Sequence, residues 1–215
     1  MSKDQDIFAD FEGIVSSPGE LRQICGSPAP PVIAKVMDHI DEVSHAIIKK
    51  SPFIVLASCT KDGYPDISPK GDPAGFVRVL NKKFLAIPDR PGNNRKDTFT
   101  NILQNPYLAA IFFIPGKGET LRVTGECRIV RDQKLRENMA VDGHVPEFAI
   151  ALHVERVLIH CPKCVFRAKL WQPEKWPDSS DTADIAEAMI VHGKLDTTPE
   201  ELNAFAEREG LTRLY

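Results

Sequence analysis

The order of apolar and polar positions divides the chain into an irregular start, a β-rich middle and a helical tail. The first thirty residues are punctuated by Pro18, Gly19, Gly26, Pro28, Pro30 and Pro31 and predict no regular element. From Val32 the apolar residues Val32, Val36, Met37, Ile40, Val43, Ile47 and Ile48 recur at three- and four-residue steps. That single stripe predicts a helix from about Val32 to Lys49. Ser51-Pro52 ends it, because the residue before a proline is pushed out of the helical region.

From Phe53 the texture changes to short β-branched and aromatic runs between turn residues. Phe53–Thr60 is followed by the tight-turn signal Lys61-Asp62-Gly63, so Pro65–Lys70 is expected to pair back as a hairpin. Phe76–Leu80 and Phe84–Ile87 flank Asn81-Lys82-Lys83 in the same way, and Tyr107–Ile114 and Thr120–Arg131 surround Pro115-Gly116-Lys117-Gly118. A further strand spans about Leu152 to His160. Six or seven strands with short connections run antiparallel, which favours a closed barrel or sandwich over a parallel sheet.

One short helix, about Asn94 to Gln104, fits between the fourth and fifth strands, with Phe99, Ile102 and Leu103 on one face and Asn105-Pro106 as its stop. The tail predicts two more, Ala183–His192 and Pro199–Glu209, the second opened by Thr198-Pro199-Glu200-Glu201. The expected organisation is an irregular segment 1–31, a main domain 32–175 and a helical tail 176–215.

Composition narrows the class. The chain has 215 residues, 42% hydrophobic and 27% charged, as in a folded globular protein. Its longest apolar run, Leu108 to Ile114, is far too short to span a bilayer as a helix. The 27 basic and 30 acidic residues give a net charge of -3, which argues against a general nucleic-acid or anionic-membrane binder. Any bound anion must be held by a local cluster. The acidic first residues lack an apolar run behind a basic start, so no secretory signal is expected. The 5 cysteines have no disulfide-framework spacing, and a reducing, cytoplasmic location is expected.

The most informative stretch is Pro88-Asp-Arg-Pro-Gly-Asn-Asn-Arg-Lys-Asp97, where a strand leads through a glycine loop into a helix. Free backbone N–H groups and the positive end of the helix dipole suit a phosphate there. Arg90, Arg95 and Lys96 surround that point, and Lys70 can reach it from a neighbouring strand. Cations at a helix start oppose the dipole, a local conflict expected of a functional site. The competing reading is a solvated turn. Ser68-Pro-Lys-Gly-Asp-Pro73 is a second candidate, because a glycine after a short strand lets backbone approach a flat ligand closely; taken in isolation, a plain hairpin loop is the stronger reading. Cys161-Pro-Lys-Cys164 has no second ligand pair for zinc and no βαβ frame for thiol redox chemistry, so two buried thiols are expected. No G-x-S-x-G or Walker sequence occurs.

Several stretches, taken in order, resemble one family. They are Ser51–Ser58, Asp62–Asp66, Ser68–Pro73, Gly75–Val79, Ile87–Arg95, Asn101–Pro106, Gly118–Gly125 and His160–Lys163. The chain from about 40 to 173 resembles the pyridoxamine 5'-phosphate oxidase-like flavin-binding proteins of the FMN-binding split-barrel superfamily. The resemblance implies a mainly β (α+β) fold, a six-stranded antiparallel split β-barrel with flanking helices. It implies a homodimer with FMN at the subunit interface.

The resemblance also distributes the cofactor-binding residues. Asn94, Arg95 and Lys96 stand where the oxidases hold the FMN phosphate with a Ser-Arg-Lys segment, and Lys70 and Arg90 join them. Ser68, Gly71 and Asp72 fall on the strand whose backbone lines the flavin ring, and Thr120 replaces a ring-contacting glutamine. Arg122 is placed beside the ring, where a fixed cation stabilises negative charge on reduced flavin; its competing reading is a surface arginine paired with Glu119 or Glu126. His160, Lys163 and Trp171 belong to the late segment, which by the resemblance is expected to approach the flavin from the partner subunit; the competing reading for Trp171 is ordinary core packing. Gly210–Tyr215 lacks the Arg-Leu-His segment that recognises pyridoxal substrate in the true oxidases. The expected function is therefore an FMN-dependent oxidoreductase with a different small-molecule substrate. The alternative is a non-catalytic protein that binds or stores a flavin, haem or deazaflavin.

Overall fold

The structure, a computed structural model, describes residues 7–215. The chain divides into a short N-terminal unit ending at Lys35 and a main unit from Val36 to Tyr215.

The N-terminal unit is less irregular than its proline content suggests. Helix α1 (Pro18–Cys25) starts where the Ser17 hydroxyl accepts from the Glu20 N–H, with Pro18 in the first turn. Serine followed by proline is a start signal here, because proline's missing N–H would be unpaired in the first turn anyway. A five-residue helix α2 (Pro30–Ala34) follows.

The long helix expected over Val32–Lys49 does not form. Helix α3 covers only Glu42–Lys50, and its N-cap Asp41 accepts from the Ser44 N–H. Upstream of it, Met37 exchanges backbone hydrogen bonds with Val157 at 3.0 and 2.7 Å, and the Ile40 N–H donates to Lys82 O at 2.8 Å. The apolar spacing is real, and Ile40 is buried. Met37 and Ile40 bury by pairing their backbone with the sheet, and the Asp41 cap begins the helix after them.

Seven strands form one antiparallel sheet: β1 (Phe53–Cys59), β2 (Pro65–Gly71), β3 (Arg78–Asn81), β4 (Phe84–Pro88), β5 (Tyr107–Phe113), β6 (Thr120–Val130) and β7 (Ala149–His160). Their order is β2-β1-β5-β6-β7-β4-β3, so the hairpins β1–β2, β3–β4 and β5–β6 are all present. The architecture is mainly β with flanking helices, a split barrel whose short edge strand β3 makes the count seven rather than six. Gly125 marks a bulge where β6 shifts register against β7. A Cβ at that position would overlap the His153 carbonyl oxygen, so the close backbone approach requires glycine.

Strand alternation sets two faces. Ile54, Leu56, Leu108, Ala110, Phe112, Leu121 and Val123 point inward and are buried with Leu152, Val154 and Val157. Helix α4 (Asp97–Gln104) packs against β1, β2 and β6, and the Asn101 side-chain amide donates to the inward Ser58 hydroxyl at 3.0 Å. Two short helices, α5 (Gln133–Glu137) and α6 (Lys163–Arg167), follow β6 and β7. The tail forms α7 (Ile185–Gly193) and α8 (Pro199–Arg208), each opened by a reciprocal capping box. Among the described residues no helix is long and apolar enough to cross a membrane.

Candidate functional site

The register of the first hairpin decides which residues of β2 meet α4. Lys70 pairs opposite Ile54, Ser68 opposite Leu56 and Asp66 opposite Ser58, so all three share the inward face of β1. Strand β4 delivers the chain to Asp89 and Arg90, and the loop 91–96 crosses to the start of α4. A cavity of about 280 Å³ lies between them, lined by Asp66, Ser68 and Lys70 on one side and by Asp89, Arg90 and residues 92–99 on the other.

The loop is shaped by non-glycine residues in the left-handed region, Asn94 at φ 57° and Lys96 at φ 56°. Such conformations are uncommon outside glycine and cluster at ligand-holding loops. Lys96 is also the N-cap of α4, and no side chain caps the first-turn N–H groups. An eight-residue helix therefore starts at the cavity wall with uncapped donors.

Four cations and three acids line this space. Lys70 Nζ donates to the Ser68 hydroxyl at 2.9 Å. Its pKa lies below the ordinary lysine value, first because burial disfavours the charged form, partly opposed by nearby Asp89. Lys96 Nζ donates to Asp89 Oδ2 at 2.5 Å, and the carboxylate is buried. Arg95 is solvent-facing and bonds Asp97 at 2.7 Å. Arg90 is nearly enclosed: Nε donates to Asp72 Oδ2 at 2.6 Å and Nη2 to Met139 O at 2.8 Å. Its Nη1 is buried without a hydrogen-bond partner among the described residues.

A second cavity, of about 660 Å³, adjoins the first and is also lined by Asp89, Arg90, Asn94 and Lys96. Its far wall is His144, Pro146, Phe148 and Tyr215. The Arg90 guanidinium lies 5.6 Å from the centre of the Tyr215 ring.

The structure thus brings Ser68, Lys70, Arg90, Asn94, Arg95 and Lys96 together around one cavity. Asp72, just past Gly71 at the end of β2, joins them through Arg90. Thr120, Arg122, Lys163 and Trp171 do not line it. Arg122 is exposed on β6 and has no ion pair among the described residues; Glu119 faces Lys117 at 3.6 Å and Glu126 faces Arg128 at 2.6 Å. Thr120 is buried, and its hydroxyl has no hydrogen-bond partner among the described residues. Trp171 Nε1 donates to Lys117 O at 2.8 Å, and Lys163 opens α6 in an exposed position. Cys161 and Cys164 are both exposed, contrary to the expectation of buried thiols, because the chain leaves β7 at His160 into a surface turn.

Sequence reasoning missed the acids. Asp66, Asp89 and Asp97 line the cavity. Asp89 and Asp97 bracket the cationic loop in sequence and were legible as its counter-charges. Tyr215 carried no sequence signal.

Residues 40–161 match the family described as pyridoxamine 5'-phosphate oxidase, and the chain belongs to that family. No curated protein matches the chain. Among solved structures it is similar to HupZ of Group A Streptococcus, with 20% identity over 56% of this chain and 93% of that one, at a TM-score of 0.47. A nimC/nimA family protein of Clostridium acetobutylicum is 24% identical over 57% of this chain and 88% of its own, at 0.42. A pyridoxamine 5'-phosphate oxidase-related, FMN binding protein of Nostoc punctiforme is 17% identical over 60% and 82%, at 0.39.

Proposed function

We propose that this protein is an FMN-binding flavoprotein with oxidoreductase activity, and that the cavity between β2 and the start of α4 takes the FMN phosphate. The observation that carries this reading is the meeting of Lys70, Lys96 and the uncapped first turn of α4 around one half-open cavity. Two further features fit a phosphorylated ligand. Among the described residues Arg90 Nη1 is a buried donor without an acceptor, and Lys70 is a cation held partly out of water without an ion pair of its own. Buried donors are normally satisfied, so a missing acceptor is chemically meaningful. Family membership supports FMN as the ligand.

In this reading Lys70, Arg95 and Lys96 hold the phosphate by charge-assisted bonds, and the α4 amides complete the cradle. Ser68, Gly71 and Asp72 run along the flavin. Bound FMN supplies the electron transfer, leaving the protein to place the ring, adjust its electrostatics and admit substrate. Arg122, Lys163 and Trp171 then serve the flavin held mainly by a second copy of the chain, which makes the working unit a homodimer. The cysteines are all unpaired, which fits a reducing, cytoplasmic compartment.

The test is the absorption spectrum of protein purified and then loaded with FMN. Bound oxidised flavin bands, bleached by NADH or NADPH, are expected. Bound flavin that no donor reduces would leave a storage role, and failure to bind FMN would overturn the reading.

A further inference from the structure

We infer that the second cavity holds a seat for a small phenolic molecule, and that the Tyr215 side chain occupies this seat as a displaceable stand-in. The seat has three parts. Asp72, whose side chain is 0% exposed, accepts from the Tyr215 hydroxyl through Oδ1 at 2.6 Å. The Arg90 guanidinium lies over the ring, 5.6 Å from its centre, and is held there by bonds to Asp72 Oδ2 and Met139 O. His144 stacks on the ring at 6.4 Å with 24° between the planes. An acceptor at the ring's edge, a cation over its face and an aromatic neighbour together match a phenol, which is a donor hydroxyl on a π-rich ring. None of the three parts depends on the tyrosine. Asp72 and Arg90 hold each other, and His144 exchanges backbone hydrogen bonds with Val141.

The carboxylate makes the seat selective. Once the tyrosine leaves, Asp72 Oδ1 has lost its donor, and an occupant that cannot donate keeps it desolvated and unpaired. An ionised carboxylate only accepts, so an aryl ether of the same shape fits the space and not the charge.

Tyr215 is lightly tethered. Leu211, Thr212, Arg213 and Leu214, which carry it to the seat, are exposed. Their backbone hydrogen bonds stay within the tail, from Leu211 to Ala206 and from Arg213 to Gly210. The cavity beside the ring measures about 660 Å³ and is walled by Val145, Pro146 and Phe148, so a ligand larger than the tyrosine side chain has room once the ring swings away. A tethered competitor lowers the apparent affinity for a free one in proportion to the fraction of time the seat stands open. The seat needs no flavin, so it stands or falls independently of the phosphate reading.

The experiment compares p-cresol, which copies the tyrosine side chain, with 4-methylanisole, which keeps the ring and lacks the donor. Calorimetry reads both on the full wild-type chain, Tyr215→Ala and Tyr215→Phe, with thermal unfolding confirming that each variant is folded. Tyr215→Ala is expected to bind p-cresol about tenfold more tightly than the wild type does, and about tenfold more tightly than it binds 4-methylanisole, the scale of a hydrogen bond to a charged group. Tyr215→Phe keeps a ring to compete but loses the bond to Asp72, so its p-cresol affinity should fall between. On the wild type, p-cresol should speed tryptic cleavage at Arg213, and 4-methylanisole should not. Equal p-cresol affinity in the wild type and both variants overturns the inference, as does equal affinity of Tyr215→Ala for the two probes, which would make the seat an apolar slot only. Binding of p-cresol to the wild type with no change at Arg213 would place the phenol elsewhere and equally end it. A folded Tyr215→Ala that binds no p-cresol sinks it outright, and if that variant does not fold, Tyr215→Phe with wild-type affinity does the same.

Discussion

Tyr215 donates its phenolic hydroxyl to Asp72 Oδ1 at 2.6 Å across 143 positions of sequence, while Arg90 Nε holds the other carboxylate oxygen at 2.6 Å. The Asp72 side chain is 0% exposed, so these two donors are what make a buried carboxylate tolerable at the end of β2. The Tyr215 ring also stacks on His144 at 6.4 Å. The bond to Asp72 pushes the phenol above its ordinary pKa, so the hydroxyl stays a donor throughout the neutral range. Tyr215→Phe is expected to speed limited proteolysis after residue 195 while leaving the barrel's own unfolding midpoint nearly unchanged. In an ultraviolet titration of the folded protein, the substitution should remove one phenol that ionises later than free tyrosine. Unchanged proteolysis would show that the contact does not hold the tail.

The proposed phosphate cradle separates buried from exposed cations. Lys70→Ala with Lys96→Ala is expected to weaken FMN binding by roughly a hundredfold, since each removes a charge-assisted bond in a partly dry site. Arg95 is 72% exposed and already engaged with Asp97, so Arg95→Ala alone should weaken binding only about threefold. Fluorescence quenching of FMN across a titration reads both. An Arg95 effect as large as the double lysine effect would relocate the phosphate to the outside of the loop.

Much of the barrel was legible because its signals are local. Alternation, tight-turn residues and the Thr198-Pro199 helix start act within a few residues, and the strands and α8 appear close to where those signals place them. The stripe from Val32 to Lys49 misled because Met37 and Ile40 are held by Val157 and Lys82, partners distant in sequence. The cationic half of the site was visible as a departure from good helix design. Its acidic half was hidden by a different fact: Asp89 becomes a site residue only when β4 buries it against Lys96. Tyr215 was invisible for the same reason, since its role depends on a contact 143 residues away.

Cysteine reactivity follows burial. Cys127 points into the core on β6, and burial pushes its thiol up to about 11 from 9.0. Cys161 and Cys164 are exposed. Iodoacetamide at pH 8 should therefore modify the exposed pair within minutes and leave Cys127 untouched until denaturant is added. Because the folded value lies above the unfolded one, this thiol's contribution to stability is complete below about pH 9 and is lost as pH rises toward about 11. Cys127→Ala should flatten that part of the alkaline unfolding curve. Cys161→Ser and Cys164→Ser together should leave the fold and FMN binding intact, and stoichiometric zinc in the wild type would contradict this.

Gly125 is the position where substitution is least tolerable. Alanine would drive its Cβ into the His153 carbonyl oxygen at the bulge that joins β6 to β7. Gly125→Ala is expected to cost about 3 kcal/mol or more in urea unfolding, the range of a strained core change. A loss under about 0.5 kcal/mol, the scale of an inert surface change, would show that the bulge relaxes freely.

The outer face of the sheet carries the last prediction, a homodimer built on β2, β1 and β5. Cross-strand partners share a face, so Phe53, Val55 and Ala57 lie with Pro69 and Ile67 on one side and with Phe113, Ile111 and Ala109 on the other. None of these side chains belongs to the inward core, and Phe53 and Ile67 are 41% and 69% exposed. A sheet with one buried apolar face normally presents polar residues on the other. Here both faces are apolar, which is the signature of a surface that another protein covers. The next residue across from Ile111 is Arg122 on β6, the exposed cation without an ion pair among the described residues. In the proposed homodimer Arg122 would serve the flavin of the second copy, so we expect the cofactor to stabilise the pair. Sedimentation should show a dimer at micromolar concentration, strengthened by FMN through mass action. Val55→Glu with Ile111→Glu should yield a folded monomer that binds FMN weakly. A monomer of the wild-type chain that holds FMN as tightly as concentrated protein would refute the shared site.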